Sequence, residues 1–130
     1  MENSKDYKDW SPKKSYLHNE KGRPFVSERE IWFCAVGENV GFEQDGRGEE
    51  FARPVVIFKK FNNEVCWILP ITKSVKKSKY YFPIKQDQIG GSVILSQIRL
   101  IDAKRLLYKV TTLKSSKFKD LKQKFTQLLV

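Results

Sequence analysis

An arginine at the start of an apolar run is the residue in this sequence best placed to do chemistry. Arg53 closes the glycine-rich, acidic stretch GENVGFEQDGRGEEFARP (residues 37–54) and opens the run RPVVIFKK (residues 53–60). A guanidinium is permanently charged and grips phosphate oxygens in pairs, so at the rim of a rigid strand it makes a phosphate clamp. The plainer alternative is a structural ion pair with Glu49 or Glu50. A second feature follows. Residues 71–85 (ITKSVKKSKYYFPIK) carry five lysines and no acid, with Tyr80 and Tyr81 adjacent. Lysines beside aromatics suit a groove that tracks a phosphate backbone and stacks bases. A solvated lysine-rich loop is the alternative there.

The whole-chain charge points the same way. Lys and Arg number 25 against 15 Asp and Glu, a net +10 with a pI near 9.6. Such an excess implies a polyanionic partner, nucleic acid first, or an acidic protein competing for that surface. Residues 38–50 run against the trend at −4, whereas residues 103–130 carry +7. The lysines of that last segment read as the wet face of a helix. Several chemistries drop out. The single histidine, His18, lies in the polar N-terminal stretch, which leaves no core Ser-His-Asp set and no histidine metal site. Cys34 and Cys66 match no zinc spacing, so an enzyme built on this chain is expected to work without zinc.

The elements that must position these groups follow from patterning. At 130 residues the chain is one domain's worth of sequence. Residues 1–24 are polar and read as a loosely held extension, with the folded domain over residues 25–130. They hold no apolar h-region, and no apolar run approaches the ~20 residues of a spanning helix. The chain is therefore expected to be cytoplasmic with reduced cysteines and no membrane contact. Strand-like runs occupy residues 30–36, 53–60, 64–71, 79–84 and 92–97, the last launched from Gly90-Gly91. Asn62-Asn63 reads as a hairpin turn, because Asn tolerates positive φ. Short strands with turn punctuation argue a mainly β fold, a small antiparallel barrel. Phe118, Leu121, Phe125, Leu128 and Leu129 recur at helical spacing after Ser116, the expected N-cap. A short helical turn capped by Asp102 is also expected.

Four blocks in order resemble the PemK/MazF family of toxin endoribonucleases. They are Gly41-Phe42-Glu43-Gln44-Asp45-Gly46; Arg53-Pro54-Val55-Val56-Ile57; Pro70-Ile71-Thr72-Lys73-Ser74; and Leu95-Ser96-Gln97-Ile98-Arg99-Leu100-Ile101-Asp102 with Arg105-Leu106. The resemblance implies an SH3-like, PemK/MazF/CcdB-like barrel with a C-terminal helix, a cytoplasmic homodimer, and metal-independent cleavage of single-stranded RNA with no cofactor. It implies a cognate antitoxin as partner, and DNA contact through the antitoxin complex. Carried over as catalytic are Arg53 and Thr72, with Glu43 as candidate base. The RNA-binding set is Gln44, Arg47, Lys73, Ser74, Lys76, Lys77 and Tyr80. The chain departs from the family in its N-terminal extension, in a longer loop after Gln44, and in lacking the first-loop histidine of some members.

The implied chemistry is in-line attack of the RNA 2′-OH on its own phosphate, leaving a 2′,3′-cyclic phosphate and a 5′-OH. That reaction needs a proton acceptor, stabilisation of the phosphorane and a donor for the leaving oxygen. Arg53 suits the phosphorane, and Thr72 can donate to a non-bridging oxygen. Two other readings stay open at this point: a non-catalytic RNA- or DNA-binding barrel, and a fold-related toxin acting on a protein such as gyrase. Trp32 and Trp67 are expected in the core or a dimer seam, and Arg99 and Arg105 as braces.

Overall fold

A computed structural model of the chain describes residues 22–35 and 52–130. Strands β1 (Glu30–Ala35), β2 (Ala52–Lys60), β3 (Val65–Thr72), β4 (Tyr81–Gln86), β5 (Ile89–Ile94), β6 (Arg99–Asp102) and β7 (Leu106–Thr112) precede helix α1 (Ser115–Gln127). All pairings are antiparallel, in the order β4-β5-β3-β2-β1-β7, with β6 added on β3. The result is a curled antiparallel sheet closed by a C-terminal helix, the mainly β fold that the patterning predicts.

The central strands owe their unbroken apolar runs to burial on both faces. Side chains alternate across a strand, so Val55 and Ile57 enter one apolar cluster while Val56 and Phe58 enter the other. The first cluster also holds Trp32, Cys34, Ile68, Ile101 and Leu106. The second holds Ile31, Leu69, Ile71, Phe82 and Val93, and α1 closes it with Phe118 and Leu121. Phe58 meets Phe125 at 4.9 Å and the edge of Phe118 at 6.1 Å. Each fully buried aliphatic contributes about 1.5–3 kcal/mol through the apolar area withdrawn from water.

Several local expectations need correction. There are seven strands rather than five. β6 is only four residues long and ends in charged groups. β7 loses its alternation because the β1–β7 register shifts twice, between Ile31 and Trp32 and between Phe33 and Cys34. Gly90 and Gly91 lie inside β5 instead of launching it; the turn before it carries the positive φ at Asp87. The Asn62 turn works by its side chain, Oδ1 accepting from the backbone N–H of Glu64 at 2.7 Å and Val65 at 2.9 Å. Helix α1 is entered from Lys114 with no side-chain cap, not from Ser116. Trp32 is buried, its Nε1–H donating to Glu30 Oε1, but Trp67 lies at the surface edge-on to Phe61. The turn capped by Asp102 forms, the carboxylate accepting from the Lys104 N–H. No helix among the described residues is long and apolar enough to cross a membrane.

Candidate functional site

Arg53 and Thr72 meet at one end of the sheet because of strand register. The last rung shared by β2 and β3 pairs Val55 with Pro70. In an antiparallel pair, two residues back along β2 and two forward along β3 lead to the same end and the same face. Those residues are Arg53 and Thr72. Arg53 is paired with Cys34 of β1, and Thr72 with Ser92 of β5. Each is therefore held by a second strand beyond the rung they share.

Their surroundings differ in a useful way. The Arg53 Nε and Nη1 atoms are withdrawn from solvent, in a half-buried residue. Thr72 is half-buried, and its Oγ1 accepts a long 3.5 Å bond from the Ser74 N–H, which leaves its own O–H to donate. A guanidinium and a hydroxyl on one face can bind two oxygens of one phosphate. Arg105 adds a further cation at this end, its Nη1–H donating to the Ala35 carbonyl at 3.1 Å. Burial pushes the neighbouring Cys34 thiol up to about 12, and the charges of Arg105 and Arg99 oppose this only in part. Cys34 is thus a neutral core residue, not a nucleophile.

The lysine-rich segment leaves β3 next to Thr72. Lys73, Ser74, Lys76, Lys77 and Tyr80 are all exposed. Their backbone is nevertheless anchored. The Lys76 N–H donates to the buried Ser92 hydroxyl at 3.0 Å, and the Leu95 N–H to the Tyr80 carbonyl at 2.8 Å. The ammonium of Lys79 stands 5.3 Å from the Tyr80 ring centre, and that of Lys76 5.7 Å from Tyr81. Glu43, Gln44 and Arg47 lie outside the described residues. So do the proposed ion-pair partners Glu49 and Glu50.

Two contributors escaped the sequence reading. Gly91, at φ +129°, lets the Thr72 backbone pass against β5; the Gly90-Gly91 pair was the only local signal. Lys124 of α1 donates from Nζ to the carbonyls of Ser78, at 3.1 Å, and Tyr81. It fastens the helix to the end of the lysine-rich segment. Nothing in the helical periodicity marks it out.

Comparison with known proteins follows this geometry. The family model described as PemK-like, MazF-like toxin of type II toxin-antitoxin system matches residues 27–129. Among solved structures, MazF from Deinococcus radiodurans superposes with a TM-score of 0.65 at 14% identity, covering 82% of this chain and 97% of that one. Mycobacterium tuberculosis toxin MazF-mt6 gives 0.60 at 18% identity, over 78% and 96% of the two chains. An endoribonuclease from a Mycobacterial species, in complex with its cognate antitoxin, gives 0.60 at 12% identity, over 82% and 94%. At these identities the superpositions speak for the fold. No curated protein sequence matches the chain. The match of the family model over most of its length shows that the chain belongs to the PemK-like, MazF-like toxin family of type II toxin–antitoxin systems.

Proposed function

We propose that this protein is the toxin of a type II toxin–antitoxin pair, an endoribonuclease that cuts single-stranded RNA through the RNA's own 2′-OH. The observation that carries the reading is the convergence of Arg53 and Thr72, two residues beyond the Val55–Pro70 rung and on one face. The guanidinium neutralises charge that builds on the phosphorane, and the Thr72 hydroxyl donates to a second non-bridging oxygen. The nucleophile belongs to the substrate, so the protein's task is positioning and charge stabilisation. Glu43 is the candidate acceptor for the 2′-OH proton, with Gln44 and Arg47 beside it in sequence. Lys73, Ser74, Lys76, Lys77 and Tyr80 bind the strand on either side of the cut. A cytoplasmic homodimer, held in check by a cognate antitoxin, goes with this reading.

The test is incubation of a long single-stranded RNA with the protein in EDTA, with Arg53→Ala alongside. Fragments ending in 2′,3′-cyclic phosphate and 5′-OH, lost in the variant, are expected. RNA that is retarded on a gel but stays intact would assign the chain to a binding role. Growth arrest that persists in Arg53→Ala cells would point to a protein target.

A further inference from the structure

We propose that the bound strand continues from the lysine-rich segment onto helix α1, whose lysines form a second binding surface for the backbone of single-stranded RNA. The proposal rests on reading the Arg53 end of the sheet as an RNA site.

The two basic segments form one surface. Lys124 ties α1 to the carbonyls of Ser78 and Tyr81, and the Lys117 ammonium stands 5.8 Å from the ring centre of Phe82, in the strand that follows. Lys117 and Lys124 are two turns apart, about 10 Å along the helix. Lys114, Lys117, Lys119 and Lys122 are exposed, and Asp120 is the one acid of α1. The ion pairs among the described residues, Arg23 with Asp102 and Lys109 with Glu30, leave these lysines uncompensated.

The arrangement does not serve the helix itself. Its first turn has no acid, and Lys114 provides no side-chain cap. Lys117 adds positive charge to the positive end of the macrodipole. A local conflict of this kind is expected where a surface is functional. The outward face around Lys119, Lys122, Gln123 and Thr126 is polar throughout. A protein interface needs an apolar core, whereas point charges on flexible stems suit a repeating phosphate backbone.

The deciding experiment compares wild type with the combined variant Lys117→Gln, Lys119→Gln, Lys122→Gln. Affinities are read by fluorescence anisotropy on 2′-O-methyl RNA, which offers no 2′-OH nucleophile, at lengths of about 8 and about 24 nucleotides. The variant is expected to bind the long strand about 10-fold more weakly and the short one within about twofold. Its slope of log affinity against log salt should fall by about 2, near 0.7 per lost phosphate contact. Its unfolding temperature should hold or rise, since the lysines oppose the helix dipole. Unchanged affinity and salt slope on the long strand would overturn the proposal. So would intact RNA binding combined with lost affinity for an acidic antitoxin. Binding of the long strand through these lysines, without cleavage of ordinary RNA, would uphold the second surface while removing the nuclease reading.

Discussion

The backbone of Gly91 runs so close to Thr72 that a Cβ on the glycine would fall 1.9 Å from the Thr72 carbonyl oxygen. That contact sets where β3 ends and hence where the Thr72 hydroxyl stands relative to Arg53. Gly91 also has φ +129°, which side chains rarely adopt. Gly91→Ala is expected to destabilise the fold by about 2–4 kcal/mol in urea titration, and to lower RNA cleavage further than the stability loss alone accounts for. Gly90→Ala is the control. Nothing lies within 4 Å of a Cβ there, so both readouts should stay near wild type.

The pairing of guanidinium and hydroxyl makes separate predictions for the two residues. Arg53→Lys keeps the charge but loses the fork of donors, so it should recover little of the roughly 10²–10³-fold rate lost in Arg53→Ala. Thr72→Val keeps shape and strand preference and removes only the O–H. Its kcat is expected to drop while the thermal midpoint stays close to wild type. A Thr72→Val enzyme with full kcat would leave the threonine as scaffold.

How much of this was readable in the residues depends on how local each cause is. Arg53 was readable because Pro54 and an apolar run fix it at a strand's start. Helix α1 was readable because Phe118, Leu121 and Phe125 keep one period. β7 was not, because the two register shifts against β1 erase alternation. Gly91 and Lys124 act through partners distant in sequence, Thr72 in one case and Ser78 with Tyr81 in the other. No local pattern records such contacts. Trp67 was misread because an aromatic in a strand looks buried unless one knows that the β2–β3 ladder shifts register between Ile57 and Lys59, near its outer end.

The 3₁₀ turn after β6 provides a pH readout. Arg23 donates to both Asp102 oxygens, at 3.0 and 2.9 Å, and the Lys104 N–H donates at 2.9 Å. Burial pushes the Asp102 carboxyl up, but the Arg23 and Lys104 hydrogen bonds and charges outweigh it, so it lies below its ordinary 3.8. A lowered folded-state value stabilises above the unfolded value and is lost as pH falls through the folded one. Asp102→Asn should therefore melt below wild type at pH 7, the gap closing below about pH 4. A gap that does not depend on pH would show that the ion pair is not its source.

Both cysteines are predicted to be silent in the native protein. Burial raises Cys34 to about 12. It raises Cys66 to about 11, with the Asp102 charge adding to it and Lys60 opposing. At pH 8 the thiolate fraction of each is far below that of an ordinary thiol, and the thiolate is the reactive form. Iodoacetamide should label neither thiol in native buffer and both in denaturant, as read by intact mass. Labelling at the unfolding rate alone would agree; rapid native labelling would contradict the burial.

Lys124 offers the sharpest separation of holding a loop from doing chemistry. Its ammonium satisfies the Ser78 and Tyr81 carbonyls at the end of the lysine-rich segment, and it touches neither Arg53 nor Thr72. Lys124→Met keeps most of the apolar stem and removes the donors. The helix should stay docked through Phe118, Leu121 and Phe125, with a stability loss of about 1–2 kcal/mol from the missing charged hydrogen bonds. The turn at Ser78 would then be free to move, and the Lys76, Lys77 and Tyr80 surface with it. The expected kinetic result is a KM for RNA raised several-fold with kcat within about twofold, because binding is impaired and the transition-state contacts are not. Lys124→Arg, which can still reach a carbonyl, should recover part of the KM. A fall in kcat at constant KM would instead mean that the helix latch acts on the Arg53 end of the sheet itself.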